Sequence, residues 1–146
     1  MAPPIFVDTN IPIYTAGRPH APKEPCSQVL LLIEEAPQRF FTDAEVVKDL
    51  LHRYIAPGLW PQGRVAISEC ARLMVDRIEP VTAEDVLDAA ELADRCPGMS
   101  ARDLLHVAIM TRLGADALVS ADRDFERVAN VRRLDPADVG SWRELL

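Results

Sequence analysis

Cysteine, lysine, aromatic residues and long apolar runs are all scarce in this 146-residue chain, and each scarcity removes a class of protein. The three cysteines, Cys26, Cys70 and Cys96, are odd in number, far apart, and match neither a CxxC nor a zinc-ligand spacing. A disulfide framework and a structural zinc are therefore excluded as supports for the fold, and the thiols read as core residues in a reducing compartment. No stretch approaches the roughly 20 apolar residues that a membrane span requires. The opening MAPPIFVDTN has no basic cluster followed by an apolar run and a cleavage site, so a cytoplasmic location is expected. Lysine occurs only as Lys23 and Lys48, and the formal net charge is −7. Such a balance argues against nucleic-acid binding by bulk electrostatics, because phosphate affinity normally comes from excess basic residues. The exception is a chain whose acids converge on a cation, where the ion's own charge helps set the local field.

What is present is enough for a core. At 49% hydrophobic and 27% charged residues, a chain of this length fits one domain, taken as 1–146. The run Ile5-Phe6-Val7 is continuous rather than alternating, as in a strand buried on both faces, and it ends at Asp8-Thr9-Asn10. Loop-like composition is confined to 18–25 and 57–63. Helical spacing of Val29, Leu30, Leu32 and Ile33 predicts a helix over 26–36, followed by a strand at 39–41. Thr42 with Glu45 three residues later reads as a capping box opening a helix to about Ile55. A further helix is expected over 62–76, with Val65, Leu73 and Met74 in the core, and a strand over 77–81. Thr82 and Asp85 mark the next helix start, with Val86, Ala89, Ala90 and Ala93 as its apolar stripe until Pro97-Gly98. Ser100 caps another helix containing Leu104, Leu105, Val107, Ala108 and Ile109. Strands at 117–120 and 131–134 complete an alternation that predicts an α/β/α sandwich around a mainly parallel sheet of four to five strands.

In such folds ligands bind beyond the carboxyl ends of the strands, which directs attention to the acids there. Asp8 ends the first strand, and a carboxylate in that position is costly without a partner or water. Asp122 and Asp124 follow the strand at 117–120, Asp103 sits in the first turn of the Ser100 helix, and Asp49 in the second turn of the Thr42 helix. Singly each has an ordinary structural reading: a helix-dipole complement for Asp103, a turn for Asp122 and Asp124, a solvated position for Asp49. Together they suit a hard divalent cation such as Mg²⁺ or Mn²⁺, which prefers carboxylates, waters and phosphate oxygens. Such an ion can polarise a phosphate and activate water, so the chemistry requires no histidine or cysteine nucleophile. His52 and His106, three residues after Asp49 and Asp103, read as partly buried helix positions ahead of phosphate binders. Phosphotransfer folds fit poorly. Asn10 stands where a haloacid-dehalogenase-like phosphatase places its second aspartate, and neither lysine falls late enough for a receiver domain.

The segments FVDTN (6–10), SARDLLHVAIM (100–110) and SADRDF (120–125) resemble the PIN-domain ribonucleases, and with TDAEVVKDLLHRY (42–54) the chain is similar to VapC-type toxins of toxin–antitoxin pairs. The order and spacing of these segments, from Ile5 to about Leu134, carry the likeness. The resemblance implies a Mg²⁺- or Mn²⁺-dependent endoribonuclease, commonly a homodimer, held inactive by a VapB-like antitoxin. It puts the family's first, third and fourth acids on Asp8, Asp103 and Asp122 as metal ligands, with Thr9, Asn10 and Ser120 as site-shaping polar groups. The second acid, usually Glu, falls on Asp49, one methylene shorter, while Glu45 shares its helix face and could also reach the site. Arg53, Arg102 and Arg123, each near a site acid, are candidate RNA contacts. The Asp49 departure leaves a second expectation open: a PIN-fold binding module with weak or no catalysis.

Overall fold

The computed structural model describes residues 2–15 and 23–146, so 18–22 of the expected proline-rich connection lie outside the described residues. Five short strands form one sheet: β1 (Ile5–Val7), β2 (Phe40–Asp43), β3 (Ile78–Glu79), β4 (Ala117–Val119) and β5 (Arg132–Leu134). Their order is β3-β2-β1-β4-β5, and every adjacent pair is parallel. The expected sheet is thus present, with five strands and no antiparallel member among the described residues. Parallel neighbours cannot be joined by tight turns, so helices carry the crossovers. They are α1 (Asn10–Thr15) and α2 (Lys23–Glu35), α3 (Ala44–Ile55) and α4 (Trp60–Leu73), and α5 (Ala83–Arg95) and α6 (Ala101–Arg112); a 3-10 turn at Arg123–Arg127 joins β4 to β5, and α7 (Val139–Trp142) follows the last strand.

The period of two in each strand sends alternate side chains to opposite layers. Phe6, Phe41 and Leu118 face α5 and α6, meeting Leu104, Val107 and Ile109. Ile5, Val7, Phe40 and Val119 face α2 and α7, meeting Val29, Ile33 and Trp142. Phe6 is fully buried, with its ring edge-on to Phe41 at 5.5 Å and 4.8 Å from the His106 ring. Complete burial of a side chain of this size contributes about 2–3 kcal/mol. The central strand therefore anchors the sheet, and its carboxyl end is rigidly placed.

Two helix starts follow the expected chemistry. Thr82 and Asp85 form a reciprocal capping box on α5, and Ser100 Oγ accepts the Asp103 amide at the start of α6. The third does not. Thr42 belongs to β2, where its amide bonds Arg77 O and its hydroxyl donates to Val7 O at 2.9 Å. The cap of α3 is Asp43, whose Oδ1 accepts the Val46 amide at 2.9 Å. Glu45 is accordingly not in a capping box and instead pairs with Lys48 at 2.9 Å. The helix expected over 62–76 runs earlier, and Asp76 in the left-handed region (φ 62°) turns the chain into β3. Val65 and Val86 are 65% and 50% exposed and lie outside the core, while α5 packs through Asp85, Ala89 and Leu92. The three cysteines are buried and free.

Candidate metal centre

Strand order reverses direction between β1 and β4, and the crevice at that switch point is where an open parallel sheet exposes its loops to a ligand. Asp8 leaves β1 there, its amide still bonded to Val119 O of β4. Its carboxylate is held from three directions: Oδ1 accepts the Thr9 amide at 2.7 Å, while Oδ2 accepts Ser120 Oγ at 2.6 Å and Asn10 Nδ2 at 3.2 Å. Ser120 Oγ in turn accepts the Asp122 amide, and Asn10 Oδ1 accepts the Ala121 amide. The ends of β1 and β4 are thereby tied into one polar network, which answers the cost of ending a buried strand in a carboxylate.

Asp103 arrives from the first turn of α6, buried, with Arg102 Nε 3.9 Å from its Oδ1. Burial pushes its carboxyl up to about 6, aided by the charges of Asp8 and Asp122 and opposed by His106 and the Ser100 contact. Asp122 caps a short 3-10 turn, accepting the Asp124 amide at 2.9 Å. Asp8, Asp103 and Asp122 line one cleft of about 320 Å³ together with Thr9, Asn10, Ala121, Arg53, Arg102 and Arg123. The three sequence-selected acids and the three selected arginines therefore meet in one place.

Asp49 does not line that cleft. It is buried behind it, with Oδ2 accepting Arg53 Nε at 3.0 Å and Oδ1 accepting Arg102 Nη1 at 3.0 Å. Asp124 is directed toward Arg127, at 3.6 Å, and Glu45 toward Lys48. His52 is exposed.

One residue that sequence reasoning treated as packing, and one it passed over, stand directly beneath the acids. His106 is fully buried; its Nδ1 lies 2.6 Å from Asp43 Oδ2 and its Nε2 3.8 Å from Asp8 Oδ1. Burial opposes protonation of the imidazole, but the hydrogen bond to Asp43 and the charges of Asp43, Asp8 and Asp103 outweigh it and raise its pKa. The only signal for Asp43 was its own suitability as a helix cap, masked by Thr42 beside it.

The donor set can be tested against a divalent cation on two observations. One ring nitrogen of His106 and one oxygen each from Asp8 and Asp103 lie within 4.8 Å of one another. Two of the three buried side-chain polar atoms without a hydrogen-bond partner among the described residues, Thr9 Oγ1 and His106 Nε2, belong to this corner. Buried unsatisfied groups are rare in folded proteins and call for an unseen partner. Converging anionic oxygens with an orphaned nitrogen fit a metal ion.

The fold and its carboxylate cluster at the switch point are matched by the PIN-domain family model over residues 5–131. Ribonuclease VapC13 of Mycobacterium tuberculosis is 35% identical over 134 residues, covering 89% of this chain and 98% of the relative. The chain belongs to the PIN-domain family, among the VapC ribonucleases. Among solved structures, the sarcin-ricin loop-cleaving toxin VapC20 of M. tuberculosis superposes with a TM-score of 0.66 at 25% identity, covering 88% of this chain and 98% of that one. VapBC2 of Rickettsia felis, crystallised with a DNA fragment from its promoter, gives 0.69 at 16% identity, covering 90% and 97%.

Proposed function

We propose that the chain is a divalent-metal-dependent endoribonuclease, the toxin of a VapBC-like toxin–antitoxin pair. The observation that carries this reading is the convergence of Asp8, Asp103 and Asp122 with Arg53, Arg102 and Arg123 in one cleft. Asp8, Asp103 and Asp122 are the residues assigned to hold the ion, Mg²⁺ or Mn²⁺, with Asp49 completing the catalytic set from behind. When bound, such an ion supplies Lewis-acid activation and charge neutralisation at a backbone phosphate.

The chain's own groups have separate tasks on this reading. Thr9, Asn10 and Ser120 fix the Asp8 carboxylate in one rotamer, so its oxygens are positioned before substrate arrives. Asp49 holds Arg53 and Arg102 by one oxygen each, leaving their remaining N–H groups to meet an RNA phosphate, with Arg123 a third arginine on the same cleft. Asp124 and Glu45 support the rim and α3 through their own ion pairs.

RNA is the substrate proposed, in keeping with the names of VapC13 and VapC20. A VapB-like antitoxin is the proposed partner, as the R. felis complex suggests, and a homodimer the proposed assembly. An apolar groove lined by Val7, Leu30, Ile33, Pro61, Val65 and Leu73 supports a macromolecular contact. We place the protein in the cytoplasm and treat 1–146 as one PIN-like unit; among the described residues no helix is long and apolar enough to cross a membrane.

One observation favours a weak or inactive binding module: both oxygens of Asp49, where the family keeps glutamate, are engaged by arginines. An RNA cleavage assay on antitoxin-free protein separates the readings. Under the leading one, Asp8→Asn abolishes cleavage and retains the wild-type circular dichroism and melting behaviour. Unchanged cleavage by purified Asp8→Asn protein would refute it, and no cleavage by the wild type with any divalent ion supports the binding module.

A further inference from the structure

His106 is more than a packed core residue. Asp43, itself fully buried, spends Oδ1 on the Val46 amide and presents Oδ2 to His106 Nδ1 at 2.6 Å. An ionised carboxylate only accepts, so Nδ1 carries the proton and Nε2 is the nitrogen with a lone pair in the neutral ring. That Nε2 has no hydrogen-bond partner among the described residues, is sealed from solvent, and lies 3.8 Å from Asp8 Oδ1, too far for a hydrogen bond. Metal-bound histidines commonly have this arrangement, with the second ring nitrogen donating to a carboxylate that fixes tautomer and ring orientation. Phe6, 4.8 Å from the ring, and the Asp43 bond together leave the imidazole little freedom to turn elsewhere.

Resting on the carboxylate-metal reading above, we propose that His106, oriented by Asp43, is a nitrogen ligand to the cation shared by Asp8 and Asp103, and that it tilts selectivity toward Mn²⁺ over Mg²⁺. The selectivity follows from ligand chemistry. Mg²⁺ favours oxygen donors and strict octahedral geometry, whereas Mn²⁺, although also suited to oxygen and the weakest binder of the first-row series, accepts an imidazole ligand more readily than Mg²⁺ does. Asp43 is then a positioning residue, 63 positions away in sequence from the ring it aims.

The test begins with the wild-type chain, so it does not depend on a buried variant folding. Mn²⁺-loaded protein is examined by electron spin-echo envelope modulation, with natural-abundance and ¹⁵N-labelled histidine. A directly coordinated imidazole gives nitrogen modulation that changes to the ¹⁵N pattern on labelling. Calorimetric titrations with Mn²⁺ alone and Mg²⁺ alone then compare wild type, Asp8→Asn, His106→Gln and Asp43→Asn. We expect Asp43→Asn to weaken Mn²⁺ about 10- to 100-fold, as loss of an orienting partner does, and His106→Gln to weaken it at least as much, with a smaller effect of either on Mg²⁺. Mn²⁺ binding that is lost in Asp8→Asn but shows no histidine-nitrogen coupling in the wild type would overturn the inference and leave the carboxylate site standing. His106 would then be a buried counter-charge beside Asp8. Undiminished Mn²⁺ binding in Asp8→Asn would instead defeat the underlying site assignment.

Discussion

Replacing Asp103 by asparagine should make the metal-free protein more stable. Its carboxyl is pushed up to about 6 from an ordinary 3.8, first by burial and then by Asp8 and Asp122. A raised carboxyl pKa means that the fold prefers the neutral acid. Below about pH 4 the group is protonated folded and unfolded, and contributes nothing to the difference. As pH rises from about 4 to about 6 the unfolded chain ionises more readily than the folded one, so the wild type loses stability relative to Asp103→Asn. Above about pH 6 the difference is constant. A shift of about two units corresponds to about 3 kcal/mol at most. The charge also sits at the third position of α6, where it complements the helix dipole by about 0.3–1 kcal/mol that asparagine forgoes. A net gain of about 2 kcal/mol is expected, or a melting temperature higher by roughly 4–8 °C. Thermal or urea unfolding in EDTA at pH 5, 6 and 8 measures it, with the variant's advantage growing up to pH 6 and flat beyond. Divalent metal should then raise the melting point of the wild type and leave Asp103→Asn unmoved, because only a native state that binds ligand gains from it. A variant that melts below the wild type at pH 8, or an advantage that does not change between pH 5 and 8, would refute the reasoning.

Three further perturbations probe other parts of the molecule. Arg102→Ala removes an arginine on the cleft and should weaken RNA binding while making the log–log salt dependence shallower by about 0.7, read by fluorescence anisotropy across a salt series; an unchanged slope would take Arg102 off the phosphate path. Asp85→Ala removes the Asp85 half of the α5 capping box and the acceptor of Arg112 Nε at 3.0 Å, and should cost about 2–4 kcal/mol by urea unfolding. Because the Asp85 carboxyl is held below its ordinary value despite burial, chiefly by Arg112 and Thr82, that cost is present above about pH 4 and shrinks in stronger acid. Gly63→Ala would put a Cβ 2.4 Å from Tyr54 Cβ, forcing α3 and α4 apart, and should lower stability by about 1–3 kcal/mol with little change in the melting-point response to metal.

The central strands β1 and β4 were legible because burial on both faces leaves continuous apolar runs, and the ends of those runs located Asp8 and Ser120. The helix starts at Thr82 and Ser100 were equally local, since a cap and the amide it receives are three residues apart. Thr42 failed for a non-local reason. Its hydroxyl and amide are taken by Val7 of β1 and Arg77 ahead of β3, so the strand runs two residues further, to Asp43, which inherits the cap. Val65 and Val86 were misassigned because helical periodicity gives a stripe but not which neighbour covers it. His106 was expected to be partly buried and is fully buried, because its partner Asp43 arrives from a different strand end, and no spacing within one helix can reveal that pairing.

Charge placement reconciles the acidic chain with an anionic substrate. The formal charge of −7 is a sum over the whole chain, while the cleft itself opposes three carboxylates with three arginines. Those arginines are attracted by the cleft's own acids, and Arg102 does come within 3.9 Å of Asp103. Asp49 counters this from behind, taking one N–H from Arg53 and one from Arg102 at 3.0 Å each. On the proposed function the shorter carboxylate thus exchanges direct reach toward the ion for a hold on two phosphate-binding groups. The same pairing explains why Asp49 is buried without being orphaned. It also separates the roles experimentally: loss of Asp8 acts on the ion, whereas loss of Asp49 acts first on where Arg53 and Arg102 stand.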